Sequence, residues 1–245
     1  MDTNQKQFSI GKLLLLALLP GALLVTAYIA TLGLRDTIPP FSSFIVLAVF
    51  LLMPVLLLTI MRYSKKEYGS YSFKSAFKNH VSMPVGKIIL YAIVPAIFAI
   101  AVFTLLGPIE NQIMRSTMFA KVPEYFYLAH FAESYKNYPN YIIIITMALY
   151  LLGNGIFGPI AEELYFRGFL TSHIERFGAW APVIVSVLFS LYHFFSPWEI
   201  VTRIVALLPF AYIAWKKKNI YIGIAVHCFL NTASAIMMIL SFLNA

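Results

Sequence analysis

Seven runs of apolar residues, at about 12–34, 41–61, 88–107, 141–165, 180–195, 200–215 and 220–243, decide what this chain can fold into. Each approaches the ~20 residues a helix needs to cross ~30 Å of hydrocarbon. The fifth and sixth are the shortest. Of the whole chain 60% is hydrophobic and only 11% charged, against about 25% charged in a soluble domain, so no water-soluble core can hide this much apolar surface. No alternating pattern of ~10 residues suggests a barrel, and a span must satisfy its own backbone, which leaves helices. The fold class is therefore all-α: a polytopic transmembrane helical bundle of about seven spans. The first run, Leu13 to Leu34, is longer than the roughly 7–15 residues of a signal-peptide core and reads as a membrane anchor.

The net charge of +8 does not point to nucleic acid, because the lysines and arginines gather at the ends of the apolar runs, as the positive-inside rule expects. Residues 62–87 carry Arg62, Lys65, Lys66, Lys74, Lys78 and Lys87 against one acid, Glu67, and read as cytoplasmic, as does Lys216-Lys217-Lys218. Residues 108–140 balance Arg115, Lys121 and Lys136 against Glu110, Glu124 and Glu133, which suits the outer side. The N-terminus is then cytoplasmic in a multi-pass cell-membrane protein, and the C-terminus outside. The aromatics Tyr125, Phe126, Tyr127, Phe131, Tyr135 and Tyr138 suit either a segment lying on the membrane or an ordinary loop. The single cysteine, Cys228, sits in an apolar run and reads as an inert packed thiol.

Three polar islands interrupt the apolar helices. The first is Glu162, Glu163 and Arg167. An acid at the centre of a bilayer costs roughly 2.5–3.5 kcal/mol on insertion scales, so two side by side line a polar cavity or serve chemistry. Glu163 and Arg167 are four apart and can pair on one face, while Glu162 points ~100° away, free for another role. The second island is Phe189 and His193, and the third is His227 and Asn231, each again four apart. Taken alone, His193 is more simply a packed histidine, and His227 with Asn231 an interhelical hydrogen-bonding pair.

Register ties the islands together. Phe177-Gly178 is the natural break between the fourth and fifth spans; Glu162 lies fifteen residues before Phe177 and His193 fifteen after Gly178. In an antiparallel hairpin both stand about 22 Å from the turn, provided the fourth helix runs on to about Arg176, where His173, Glu175 and Arg176 read as a protruding polar end. His227 lies nine residues beyond Lys218, about 13 Å in, and falls at the same depth if the hairpin turn protrudes by ~9 Å. Pro159, just before the glutamates, is placed to kink the helix and open the site. Tyr165, Phe166 and Tyr192 are candidates for its walls, and Trp180, Trp198 and Trp215 for interfacial anchors.

Several catalytic classes drop out. Asp2 and Asp36 are the only aspartates, so there is no buried aspartyl pair; neither His-Glu-x-x-His nor Gly-x-Ser-x-Gly occurs. A carboxylate and an imidazole meeting in a cavity can activate water. A second histidine and an asparagine amide can donate to the developing oxyanion. The same Glu162, His193, His227 and Asn231 can instead be read as ligands of zinc. Asparagine is an uncommon zinc ligand, so the reading without a required cofactor is favoured.

Glu162-Glu163-x-x-x-Arg167, Phe189-x-x-x-His193 and His227-x-x-x-Asn231, in that order and with Gly168 after Arg167, resemble the CPBP family of intramembrane proteases. These are the type II CAAX prenyl endopeptidases and bacterial relatives linked to bacteriocin processing and self-immunity, also called the Abi family. The resemblance covers residues from about 140 to 243. It divides the chain into N-terminal spans and loops, 1–135, and a catalytic helical core, 136–245. It implies an endopeptidase inside the membrane with a cavity open toward the cytoplasm. Glu162 would be the water-activating base helped by His193, with His227 and Asn231 at the oxyanion and Glu163, Arg167 and Phe189 in support. The implied partners are the bilayer and a membrane-associated peptide or protein: a CAAX-type protein, a peptide pheromone or a bacteriocin-like peptide. Room remains for a regulatory membrane partner, for which the chain shows no docking motif. Two rivals stand beside this reading. One is a non-enzymatic immunity or regulatory protein that binds a toxin or signalling component, which does not require buried acids beside level histidines. The other is a proton-coupled transporter, for which the chain lacks paired halves.

Overall fold

The computed structural model describes residues 7–123, 135 and 138–243, with no strand among them. Eight helices are numbered here: α1 (Ile10–Thr31), α2 (Pro40–Tyr68), α3 (Val85–Leu105), α4 (Gly107–Ser116), α5 (Asn140–Leu170), α6 (Trp180–Tyr192), α7 (Ile200–Lys216) and α8 (Tyr221–Leu243). Six stretches are long and apolar enough to cross a bilayer, those of α1, α2, α3 with α4, α5, α7 with the turn before it, and α8. Phe50, Val94, Ile97, Ile144 and Met237 are largely exposed on the outside of the bundle. A water-soluble protein does not present such a surface; lipid accounts for it, and the chain is a multi-pass membrane protein.

The expected fifth span is the one that falls short. α6 has 13 residues, about 20 Å at 1.5 Å per residue. It stops because His193 leaves helical geometry (φ −79°, ψ 56°) and Ser196, before Pro197, is also non-helical (φ −144°, ψ 58°). The fourth helix also ends before Arg176: a separate 3-10 turn covers Glu175–Phe177. His173 is no protruding end, being 1% exposed and bonded through Nε2 to Glu67 Oε1 at 2.7 Å.

The second half of α5 is the axis of the bundle. Every residue from Glu163 to Leu170 is buried, packed on by α2, α6, α7 and α8. Around it, α1 packs on α2 and α6, α6 on α7, and α7 on α3 and α8. At Gly21 a Cβ would run into the backbone carbonyl of Tyr192, so this glycine seats α1 against the end of α6. Gly69 ends α2 at φ 77°, a left-handed geometry that glycine adopts without strain. α4 is a helix where the sequence suggested a charge-balanced outer loop. Glu110 is buried, and its two oxygens accept the Val201 and Thr202 N–H groups at 2.8 and 2.7 Å, capping α7. Of the outer aromatics, Tyr125, Phe126, Tyr127 and Phe131 lie outside the described residues. Tyr135 is buried with its hydroxyl 2.8 Å from Ser42 Oγ, and the Tyr138 hydroxyl donates to the Arg35 carbonyl. Trp198 is buried rather than interfacial, whereas Trp180 is 68% exposed.

Candidate active site

The site begins with Pro159. Its ring has no N–H for the carbonyls one turn back, and α5 widens into π-helical turns over Tyr150–Phe157 and again over Glu163–Leu170. α8 takes up the carbonyls left over. Asn231 Nδ2 donates to the Asn154 carbonyl at 3.1 Å, and Thr232 Oγ1 donates to that of Gly155 at 3.0 Å. Gly155 permits this approach, since a Cβ there would stand 3.0 Å from Thr232 Oγ1. These bonds fix the Asn231 amide and leave its Oδ1 and second N–H for the interior.

Four residues along, the adjacent glutamates diverge. Glu163 is fully buried and pairs with Arg167, Oε1 to Nη1 at 3.4 Å. The guanidinium lies over the Phe189 ring, 4.1 Å from its centroid, and near Phe210 on another side. Glu163 Oε1 also stands 3.0 Å from His227 Nδ1. A carboxylate can only accept, so His227 donates from Nδ1, and its Nε2 is directed to the other glutamate, 3.7 Å from Glu162 Oε2. Gly223, one turn before His227 on α8, gives the Glu163 carboxylate its space, because a Cβ there would meet Oε2.

Glu162 keeps one oxygen engaged: the Tyr192 hydroxyl donates to Oε1 at 3.1 Å. His193, just past the end of α6, has Nδ1 2.7 Å from the Phe189 carbonyl. That contact places the hydrogen on Nδ1 and leaves the Nε2 lone pair for the interior. Glu162, His193, His227 and Asn231 line one cavity of about 260 Å³, with Phe189 in its wall. Glu163 and Arg167 stand behind it.

Other parts of this site are not among the residues singled out from sequence. Arg203 is buried on the cavity wall, donating to Ser196 Oγ at 2.7 Å and to Glu199 Oε2 at 3.0 Å. Glu199 and Arg203 repeat the four-residue acid–arginine spacing of Glu163 and Arg167, which is the signal that could have found them. Tyr192 is a wall candidate that touches Glu162. Tyr165 and Phe166 are core residues instead; the Tyr165 hydroxyl donates to the Leu16 carbonyl at 2.9 Å. The N-terminal spans contribute an apolar wall that includes Leu24, Phe44, Leu52 and Phe103.

The polar rim Ser196, Glu199 and Arg203 lies at the α6–α7 connection. The basic segments lie at the other end of the bundle, where Val81 N–H donates to the Lys218 carbonyl at 2.7 Å. A basic end on the cytoplasmic side would set these three residues toward the opposite side. The donors were also compared with a metal site. Among the described residues, no three His, Cys, Asp or Glu side chains converge as ligands. His227 Nδ1 is committed to Glu163 and Asn231 Nδ2 to Asn154, which leaves Glu162 Oε2, His193 Nε2, His227 Nε2 and Asn231 Oδ1 as the atoms that would meet a metal.

Residues 144–233 match the family described as Type II CAAX prenyl endopeptidase Rce1-like. No curated protein and no solved structure is detectably similar to the chain. The matched stretch holds every cavity residue from Asn154 to Asn231, while the wall built by α1 to α3 lies outside it.

Proposed function

With an Rce1-like domain of the type II CAAX prenyl endopeptidases at residues 144–233, we propose that this intramembrane protease hydrolyses peptide bonds with water activated by Glu162. The observation that carries the reading is the shared cavity: Glu162, His193, His227 and Asn231 all line it, and each keeps a polar atom uncommitted to the protein.

Glu162 Oε2 takes a proton from a water molecule, and the His193 Nε2 lone pair orients that water as a second acceptor. The water oxygen bonds to the scissile carbonyl carbon, and the carbonyl electron pair moves onto oxygen. The free N–H of Asn231 donates to this oxyanion, and so does His227 once its Nε2 carries a proton. Glu163 holds His227 in the orientation this requires, and Arg167 holds Glu163. When the tetrahedral intermediate collapses, the C–N bond breaks and Glu162 returns its proton to the leaving amine. No metal enters these steps.

The substrate is a membrane-associated peptide or protein. The apolar wall from α1 to α3 suits a hydrophobic side chain or a lipid-modified residue, and a CAAX-type protein, peptide pheromone or bacteriocin-like peptide meets that demand. The charge distribution supports a cytoplasmic N-terminus with the polar rim outside. A cysteine at Phe194, beside the rim, should react with an impermeant maleimide on intact cells, while one at Tyr71 should not; the reverse pattern would turn the protein over.

The deciding experiment is cleavage of a membrane-anchored reporter peptide by the purified chain in detergent. Wild type should cleave with or without a strong zinc chelator, and Glu162→Gln should not. Loss with chelator would assign the chemistry to a metal. An active Glu162→Gln variant would remove the glutamate from the mechanism.

A further inference from the structure

A second cavity, of about 380 Å³, opens at the basic end of the bundle and shares no lining residue with the one above. Its polar lining includes Asn79, His80, Arg167, Lys216, Lys218 and Asn219, and Ala211 and Ala214 supply an apolar wall. Arg167 is 7% exposed, and none of its three guanidinium nitrogens makes a hydrogen bond. Its contact with Glu163 balances charge without hydrogen-bond geometry, and the rings beside it cover faces rather than N–H groups. A guanidinium has five donors, and leaving buried donors unmade is costly. His80 shows the same deficit: its Nδ1 is buried without a partner. Burial pushes the His80 pKa down.

The charges around this cavity are three cations against one acid. That acid, Glu175, already accepts from Asn79 Nδ2. Arginine's planar fork with two lysines beside it fits an anion with several oxygens. The cavity reaches Trp215 and Lys216 at the end of α7, the level at which a spanning helix meets the headgroup region.

We infer that this cavity is a binding site for a phosphate group, held at its inner end by Arg167 and at its rim by Lys216 and Lys218. The phosphate of an anionic lipid headgroup and free inorganic phosphate share that chemistry. The site stands whether or not the proposed peptidase reading holds.

The test is calorimetric titration of inorganic phosphate, at fixed ionic strength, into the full chain in a neutral detergent. Saturable one-to-one binding is expected, weakened roughly tenfold in Lys216→Gln/Lys218→Gln and absent in Arg167→Gln. Arg167→Gln also strands Glu163 and can misfold. Ala214→Leu, which fills the apolar wall without changing a charge, carries the same expectation of lost binding. A second arm repeats the titration in phosphatidylcholine nanodiscs with and without phosphatidylglycerol. Competition by the anionic lipid assigns the site to a headgroup, and unchanged phosphate binding assigns it to the free ion. Binding that survives both Arg167→Gln and Ala214→Leu overturns the inference. So does an absence of saturable binding together with equal thermal unfolding in the two kinds of disc.

Discussion

Two clusters in this protein join a glutamate to a histidine, and they differ in what they leave unsatisfied. At the basic end, Glu67 Oε1 meets His173 Nε2 at 2.7 Å, His173 Nδ1 meets the Phe169 carbonyl at 2.7 Å, and the Ser75 hydroxyl donates to Glu67 Oε2 at 2.7 Å. Phe8 stacks on the imidazole at 4.4 Å between centroids, and its N–H donates to the His173 carbonyl at 2.9 Å. Both ring nitrogens and both carboxylate oxygens are occupied. In the middle of the bundle, His227 Nε2 stands 3.7 Å from Glu162 Oε2, beyond a hydrogen bond, and Glu163 Oε2 has no donor. A cavity lies beside that gap. The same residue pair thus serves packing where each oxygen and ring nitrogen has a partner, and in the proposed reading it serves chemistry where some are held open. The two clusters differ in place along the bundle as well as in how fully their polar atoms are satisfied.

The largest effects should fall on the open cluster as activity and on the closed one as stability. His227→Gln should lower reporter cleavage by about 10²- to 10⁴-fold while thermal unfolding in detergent moves by only a few degrees. His173→Gln should do the opposite. It removes the donor to Glu67 Oε1, while Ser172 Oγ still serves the Phe169 carbonyl, at about 1–2 kcal/mol of stability, with cleavage per folded molecule unchanged. A His173 variant that folds normally and cannot cleave would end the distinction.

Gly223→Ala tests how tightly the open cluster is held. The added methyl meets Glu163 Oε2, and the carboxylate can yield only by leaving His227 or Arg167. Cleavage should fall about tenfold, with a stability loss of about 1–3 kcal/mol from overpacking. Gly86→Ala, where a Cβ meets nothing within 4 Å, is the control and should change neither. Equal behaviour of the two variants would mean that Glu163 does not position His227.

The three islands were legible because apolar surroundings make each polar residue conspicuous and because helical spacing puts partners four apart. Counting residues to a turn put them at one depth only by assuming a helix that runs to about Arg176, whereas a separate 3-10 turn covers Glu175–Phe177. What escaped the reading depends on partners distant in sequence. Asn231 is oriented by the Asn154 carbonyl on another helix, five residues before Pro159, which was read only as a kink. His173 looked like a protruding end because its partner Glu67 lies 106 residues away and hydropathy counts every polar side chain as surface. Glu110 was placed in an outer loop for the same reason. The short α6 was hidden by the apolar residues Phe194 and Phe195, which prolong the hydrophobic run after the helix has ended. Composition alone cannot tell a capped turn from a further turn of helix.

Glu110 is the finest test, because it is a buried carboxylate that belongs wholly to the closed kind. Its two oxygens cap α7 through the Val201 and Thr202 N–H groups, and Arg203, on the wall of the cavity, lies within that first turn. Glu110→Gln keeps one acceptor, turns an NH₂ toward the other N–H, and removes the charge that favours a helix N-terminus. The loss should be about 1 kcal/mol of stability, read as a small fall in unfolding temperature, with cleavage within about twofold of wild type. Closeness to the cavity predicts a large effect on activity and satisfaction predicts a small one, so this variant separates them. A hundredfold loss of cleavage at nearly unchanged stability would show that a carboxylate with both oxygens occupied can still belong to the catalytic apparatus, by setting where Arg203 stands.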